Sequence, residues 1–373
     1  MNPFAAKLIH WQKHHGRHNL PWQKISNPYA IWVSEIMLQQ TQVSTVIPYY
    51  VRFMQRFPDI KSLATASLDD VLAHWSGLGY YSRGRNLHKA ARMIISDHQG
   101  IFPRELELIH RLPGVGRSTA AAIAVFAYGE RTPILDGNVK RILCRRFGME
   151  GYPGEKKNEI LLWKKAEELL PETDEEQIKD QVEVYTQALM DLGATVCTYR
   201  KPKCALCPLH VDCIALRDNK VDKLPAPKRR KRLPAKETAL LLLMKQGRIL
   251  LEKRPSAGIW GGLWCLPELP MSRDATEYCA VMGMEVMPAE PMNAFSHTFT
   301  HFKLRIHPQP LQVVSYSPCL LSPSKDGRER IWLTVEDALN AAIPSAVRKL
   351  LVQLNAGERT LHIGYAEKTT VRL

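Results

Sequence analysis

The chain has 373 residues, 45% hydrophobic and 24% charged, which is ordinary for a globular protein and long enough for two domains with separate cores. Its 51 Lys and Arg against 37 Asp and Glu leave a formal net charge of +14, pointing to a polyanionic partner, of which nucleic acid is the commonest. No apolar run approaches the roughly 20 residues of a membrane span, and the basic start (His10, Lys13, His14, His15, Arg17) argues against a secretory leader, so a cytosolic protein is expected.

Residues 1 to about 220 read as helical. A long apolar stretch covers Pro28 to Phe57. Helical periodicity broken by Gly and Pro then recurs over Leu68–Ser76, Asn86–His98, Glu105–Arg111, Ser118–Tyr128, Val139–Phe147, Glu159–Leu170 and Glu175–Leu192. Residues 221–236 hold three prolines and the run Lys228-Arg229-Arg230-Lys231-Arg232, whose mutual repulsion resists packing and marks a linker. Beyond it the period shortens. Thr238–Met244, a Gln246-Gly247 turn and Arg248–Glu252 predict a β-hairpin, Phe302–Ile306 and Leu311–Tyr316 two further strands, and Val335–Ala342 and Ser345–Leu354 two helices. The fold class expected is an all-α domain followed by an α+β domain.

Glu35 is the one formally charged side chain between Lys24 and Arg52, beside Trp32, Val33, Ile36, Met37 and Leu38. Desolvation there raises a carboxyl pKa and keeps the proton that a general acid needs, although an exposed, salt-bridged Glu fits the same residues. Asp136 follows Pro133-Ile134-Leu135 at a helix start, where it reads as an N-cap whose neighbouring NH groups hold it ionised. A protonated acid paired with an ionised carboxylate can cleave a glycosidic bond through an oxocarbenium-like state. The Pro113-Gly114-Val115-Gly116 hairpin opens a helix whose NH groups suit phosphate. Finally Cys197, Cys204, Cys207 and Cys213 are separated by six, two and five residues. Such a set binds one metal centre, and spacing alone leaves zinc and a 4Fe–4S cluster both open.

These motifs together resemble the helix–hairpin–helix DNA glycosylases of the endonuclease III and MutY types, whose four-cysteine loop has this spacing. Leu20-Pro21-Trp22, Ser34 to Val43, Gly77-Leu78-Gly79-Tyr80-Tyr81, Leu112 to Thr119 and Leu135 to Val139 are similar to the MutY-type adenine glycosylases over nearly the whole chain. The resemblance implies a 4Fe–4S cluster on the four cysteines and double-stranded DNA as partner. The substrate implied is adenine opposite 8-oxoguanine or guanine, removed in base excision repair by a monomer acting at the nucleoid. By the same resemblance Glu35 protonates adenine at N7, Asp136 stabilises the sugar cation and Asn138 positions groups. Gln40 and Tyr80 enter the base stack, while Trp22, Gln23, Leu38, Gly114, Gly116 and Ser118 lie against substrate or DNA. Gly261-Gly262-Leu263-Trp264-Cys265-Leu266-Pro267-Glu268 resembles the core of a Nudix-like domain, but Met271 to Glu285 lacks its acidic helix, so this domain is expected to bind rather than hydrolyse. In it Phe299-Thr300-His301 resembles a Phe-Ser-His loop that reads 8-oxoguanine, with Thr in place of Ser. Position 118 is Ser where lyases of the endonuclease III type have Lys, which implies a monofunctional enzyme.

The boundaries expected are 1–220 for the helical catalytic domain, 221–236 for the linker, 237–356 for the Nudix-like domain and 357–373 for a tail. An endonuclease III-like lyase for oxidised pyrimidines, a non-catalytic DNA-binding module and a nucleotide pyrophosphohydrolase are the competing readings.

Overall fold

A computed structural model describes residues 2–172, 175–228, 233–317 and 328–366. The chain divides by contacts into two compact units. The first contains α1 (Pro3–His15), α2 (Pro28–Leu38), α3 (Val43–Arg56), α4 (Ile60–Thr65), α7 (Leu106–Arg111), α8 (Arg117–Tyr128), α9 (Gly137–Arg146), α10 (Lys156–Glu168), α11 (Glu175–Thr195), a 3₁₀ turn at Cys204–Leu206 and α12 (Ile214–Arg217). The second contains α5 (Leu68–Trp75) and everything described after the linker, while α6 (Ser82–Asp97) runs from one unit into the other. Of the basic run, residues 229–232 lie outside the described residues.

In the first unit local chemistry sets the helix ends. Asn27 caps α2, with Pro28 as its first residue, and the apolar stretch breaks at Gln39 to Gln42 before α3. Gly116 precedes α8, and Gly129 ends it in the left-handed conformation at φ 71°. The interior of α8 is Ala120-Ala121-Ala122-Ile123-Ala124-Val125, all buried, and its small side chains let α2 pack against it. On its other side α8 joins, through Ala121 and Ala122, a core of Leu8, Ile142, Leu143, Leu189 and Leu192 that locks α1, α9 and α11 together. Among the described residues no helix is long and apolar enough to cross a membrane.

The second unit is built on an eight-stranded sheet: β1 (Ala235–Lys245), β2 (Arg248–Lys253), β3 (Trp264–Cys265), β4 (Glu268–Leu269), β5 (Met284–Pro288), β6 (Phe295–Thr298), β7 (Lys303–Tyr316) and β8 (Arg330–Thr334). The main path runs β3-β2-β1-β7-β5, with β4 on β1, β6 on β7 and β8 on β2. The hairpin turn is Gln246-Gly247, both at positive φ (49° and 71°), the geometry that matches strand twist. Two predicted strands prove to be one. β7 continues through Pro308 and Pro310 because β1 lies parallel along it from Ala235 to Met244. Helices α13 (Ala275–Val281), α14 (Val335–Asn340) and α15 (Ser345–Ala366) complete the unit, and α15 extends well past the predicted end at Leu354.

The grouping of Ser67–Gly84 with the sheet departs from the boundary read at the linker. Hydrogen bonds hold it there. Ser76 Oγ and Tyr81 Oη each donate to the Ile343 carbonyl at 3.0 Å, Arg348 Nη2 donates to Ser76 Oγ at 3.0 Å, and Lys253 pairs with Asp69 at 2.9 Å.

Candidate active site and cysteine loop

Glu35 sits near the end of α2, between the buried pairs Trp32-Val33 and Ile36-Met37, on the wall of a cavity of about 490 Å³. Trp22, Gln23 and Leu38 line the same cavity. Burial pushes the Glu35 carboxyl up to about 8, and the charge of Asp136 adds to the shift. Asp136 caps α9, accepting from Val139 N at 2.8 Å and from Asn138 Nδ2 at 3.3 Å. Those bonds and the Arg141 charge lower its pKa, as an N-cap should, but burial outweighs them and the net direction is up. The expectation that capping alone sets its charge state is corrected accordingly.

Asn138 is itself held. Its Oδ1 accepts from Arg141 Nη2 at 2.8 Å, and the same guanidinium donates to the Gly193 and Cys197 carbonyls at 2.7 Å each. Ser118 Oγ accepts from Leu135 N at 2.9 Å, fixing the peptide before Asp136. Gln39 Nε2 reaches Gly114 O and Thr119 Oγ1, both at 3.3 Å, tying the end of α2 to the hairpin. Gly114 lies at φ +81°, and a Cβ there would come 2.9 Å from the Asn86 Cβ, so glycine is required. A Cβ on Gly116 would meet nothing within 4 Å, leaving its surface open to an approaching molecule.

Sequence reasoning missed one cavity wall. Arg17 and Gln187 line the cavity, and both are bound by Asp191, whose side chain is wholly buried. Asp191 accepts from Arg17 N at 2.8 Å, from Arg17 Nε and Nη2 at 2.7 Å, and from Gln187 Nε2 at 2.8 Å. The available signal was a carboxylate between Met190 and Leu192 one helical turn after Gln187. Its partner Arg17 is too distant in sequence to be paired by pattern.

Gln40 and Tyr80 are non-glycine residues in the left-handed region, at φ 57° and 48°, and both are exposed. Such strain costs about 1–3 kcal/mol and persists where surroundings enforce it. Tyr80 belongs to the second unit. So do Phe299, Thr300 and His301, in the turn between β6 and β7. Phe299 stacks on Phe302 at 4.6 Å and tilts against Trp260 at 5.6 Å, while Thr300 and His301 are exposed, with Thr300 Oγ1 3.3 Å from His301 Nδ1. A similar triplet, Phe295-Ser296-His297, lies one residue before it but is paired in β6 against Leu304, Arg305 and Ile306.

Cys197, Cys204, Cys207 and Cys213 carry free thiols and line one small cavity. Buried Arg145 organises the loop, donating to the carbonyls of Thr198, Tyr199, Val221 and Leu224 and, at 3.5 Å, to Cys197 Sγ. Burial pushes the Cys207 thiol up to about 12 and raises Cys204 as well. Arg200, Lys201 and Lys203 stand exposed on the rim.

A unit of helices with a glycine hairpin and an acid at a cavity wall, and a second unit built on a mixed sheet, define a class. Residues 33–168 match the HhH-GPD superfamily base excision DNA repair protein family, and residues 238–353 match the NUDIX domain. The chain is 38% identical to an adenine DNA glycosylase of Buchnera aphidicola (Acyrthosiphon pisum), over 93% of this chain and 96% of that one. It is 33% identical to the adenine DNA glycosylase of Homo sapiens, over 93% of this chain and 73% of that one. A thermostable thymine-DNA glycosylase structure aligns at TM-score 0.51 and 28% identity, covering 58% of this chain and 95% of that one. The chain belongs to the adenine DNA glycosylase family.

Proposed function

We propose that this chain is a monofunctional DNA N-glycosylase of base excision repair, which removes adenine paired with 8-oxoguanine or guanine from duplex DNA and acts as a monomer. The observation that carries the reading is the pair Glu35 and Asp136: one carboxyl at a cavity wall raised to about 8, within electrostatic reach of a second that is capped and hydrogen-bonded. The extruded base enters the cavity, at a cost of a few kcal/mol that is smaller for a mispair. Glu35 donates its proton to N7 of adenine as the C1′–N9 bond breaks and its electron pair moves into the base. Asp136, oriented by Val139 N and Asn138, stabilises the sugar cation until water adds at C1′ and loses a proton. The Ser118 hydroxyl is occupied by Leu135 N and offers no amine for a Schiff base, which favours hydrolysis over lyase chemistry.

The thiol donor set fits a 4Fe–4S cluster. Four cysteines without disulfide partners line one cavity, and four thiolates gathered there call for a compensating cationic centre. When bound, the cluster would brace the loop that presents Arg200, Lys201 and Lys203 to phosphate.

Duplexes carrying adenine opposite 8-oxoguanine, thymine glycol or an abasic site, assayed beside free nucleoside triphosphates, test the reading. Adenine release without strand cleavage is expected, and cleavage of the thymine glycol duplex instead would overturn it. Anaerobically purified protein should contain about four irons per chain. Colourless, active protein with one zinc would end the cluster assignment.

A further inference from the structure

The second unit contains a segment drawn from the helical part of the sequence, and that segment carries Tyr80. The turn Gly77–Tyr81 is unusually constrained. Gly77, Gly79 and Tyr80 all have positive φ, at 100°, 79° and 48°. Inside the turn, Tyr81 Oη accepts from Gly77 N at 3.3 Å, and the Gly79 carbonyl accepts from Trp75 Nε1 at 3.2 Å and Arg83 Nη2 at 3.1 Å. The Arg83 guanidinium lies 5.5 Å from the Tyr80 ring centre. Both ends of the turn are then fastened to one atom. Ser76 Oγ, before it, and Tyr81 Oη, at its end, both donate at 3.0 Å to the carbonyl of Ile343, in the turn between α14 and α15. Arg348, one turn into α15, donates to Ser76 Oγ at 3.0 Å. Ser76 and Tyr81 are buried, whereas Tyr80 between them is 47% exposed.

A strained backbone with an exposed aromatic at its crest persists only where its surroundings over-determine it. Here those surroundings come from the same unit that carries Thr300. We propose that Ser76 and Tyr81 are positioning residues for Tyr80: through the Ile343 carbonyl they fasten the base-probing turn to the unit that reads the opposite base. Stacking by Tyr80 and reading by the Phe299–Phe302 turn are thereby coupled. This rests on the functional reading above and on the resemblance, which implies that Tyr80 enters the base stack and that the Phe299-Thr300-His301 turn reads 8-oxoguanine.

The test uses full-length protein and a duplex with 2-aminopurine beside 8-oxoguanine, whose fluorescence reports unstacking at that step. Ser76→Ala and Tyr81→Phe should each lower the binding preference for 8-oxoguanine·A over G·A by about fivefold, the worth of one hydrogen bond, and diminish the fluorescence change. Ser76→Thr keeps the hydroxyl and should restore both. In a Tyr80→Ala background neither substitution should have any further effect, because residues acting through one side chain are not additive with its loss. Effects of full size in that background, or an unchanged preference in a variant with wild-type melting temperature, would overturn the positioning role. Should the paired substitution unfold the protein, the single variants carry the test alone. A wild-type protein lacking any 8-oxoguanine preference would sink the functional reading, and this inference with it. A wild-type preference with additive variants would sink only the inference.

Discussion

The Glu35 cavity and the Phe299–Phe302 turn achieve order by opposite means. Around Glu35 the protein removes water, shifting a carboxyl by burial, and then fixes polar groups in chains: Asp136 by Val139 and Asn138, Asn138 by Arg141, Arg17 and Gln187 by Asp191. At the Phe299–Phe302 turn the polar residues Thr300 and His301 remain in solvent, and the order comes from aromatic packing beneath them. Chemistry that needs a proton held near neutrality requires a low-dielectric site, whereas reading a partner needs donors kept exposed until it arrives. Perturbing the first region should therefore cost rate, and perturbing the second should cost discrimination.

The largest effect is expected from Glu35→Gln, which keeps the shape but has no acidic proton to give. Single-turnover adenine release should fall about 10²–10⁴-fold with DNA binding nearly intact. A rate within a few-fold of wild type would make Glu35 a structural residue. Asp136→Asn should be comparably inactive yet melt close to wild type, because Asn also caps helices well. A melting temperature that falls in step with activity would show that capping, not charge, is what Asp136 supplies.

The pH dependence sharpens the contrast. Glu35 acts in its protonated form, so the release rate should decline as pH rises through about 8. The same shift has a stability signature of defined sign. The folded carboxyl keeps its proton up to about 8, whereas the unfolded one loses it near the ordinary 4.5. Its contribution is therefore complete below pH 4.5 and declines as pH rises to about 8. Denaturation of Glu35→Gln across that window should show a flatter profile than wild type, and parallel profiles would mean the carboxyl is not buried as described. The smallest effect belongs to the exposed turn. Thr300→Ala should weaken the preference for 8-oxoguanine over guanine by about 1 kcal/mol, with Thr300→Ser near neutral, measured at one salt concentration.

Local features were legible in the sequence where local chemistry decides them. Gly and Pro breakers marked the helices between Leu106 and Thr195 to within a few residues and the Gln246-Gly247 pair the β-hairpin, whereas α1 and α4 were not read and α2 and α3 were read as one apolar stretch. Glu35 could be singled out because it is the one charge in an apolar stretch. What escaped were consequences of long-range packing. The runs Phe302–Ile306 and Leu311–Tyr316 read as two strands, whereas β7 continues through Pro308 and Pro310 along its parallel partner β1. The Arg17–Asp191 pair in the cavity wall joins residues 174 positions apart. The union of Ser67–Gly84 with the sheet rests on hydrogen bonds to a main-chain carbonyl, which no residue pattern encodes. For that reason a truncation at the linker divides a compact unit instead of releasing one.

Arg145 has a consequence for how the cysteine loop is assembled. Its guanidinium holds the carbonyls of Thr198 and Tyr199, just after Cys197, and those of Val221 and Leu224, beyond Cys213. The entrance and exit of the cysteine-bearing segment are thus clipped together by a side chain of α9. Closing a flexible loop costs conformational entropy that grows with the logarithm of its length. The Arg145 bonds offset part of that cost through main-chain carbonyls, and the four thiols are brought to one cavity by protein contacts. Amide exchange should therefore find Thr198 to Leu224 held back against α9 whether or not a metal is bound, and fast exchange across that segment would show that the Arg145 clip does not hold it.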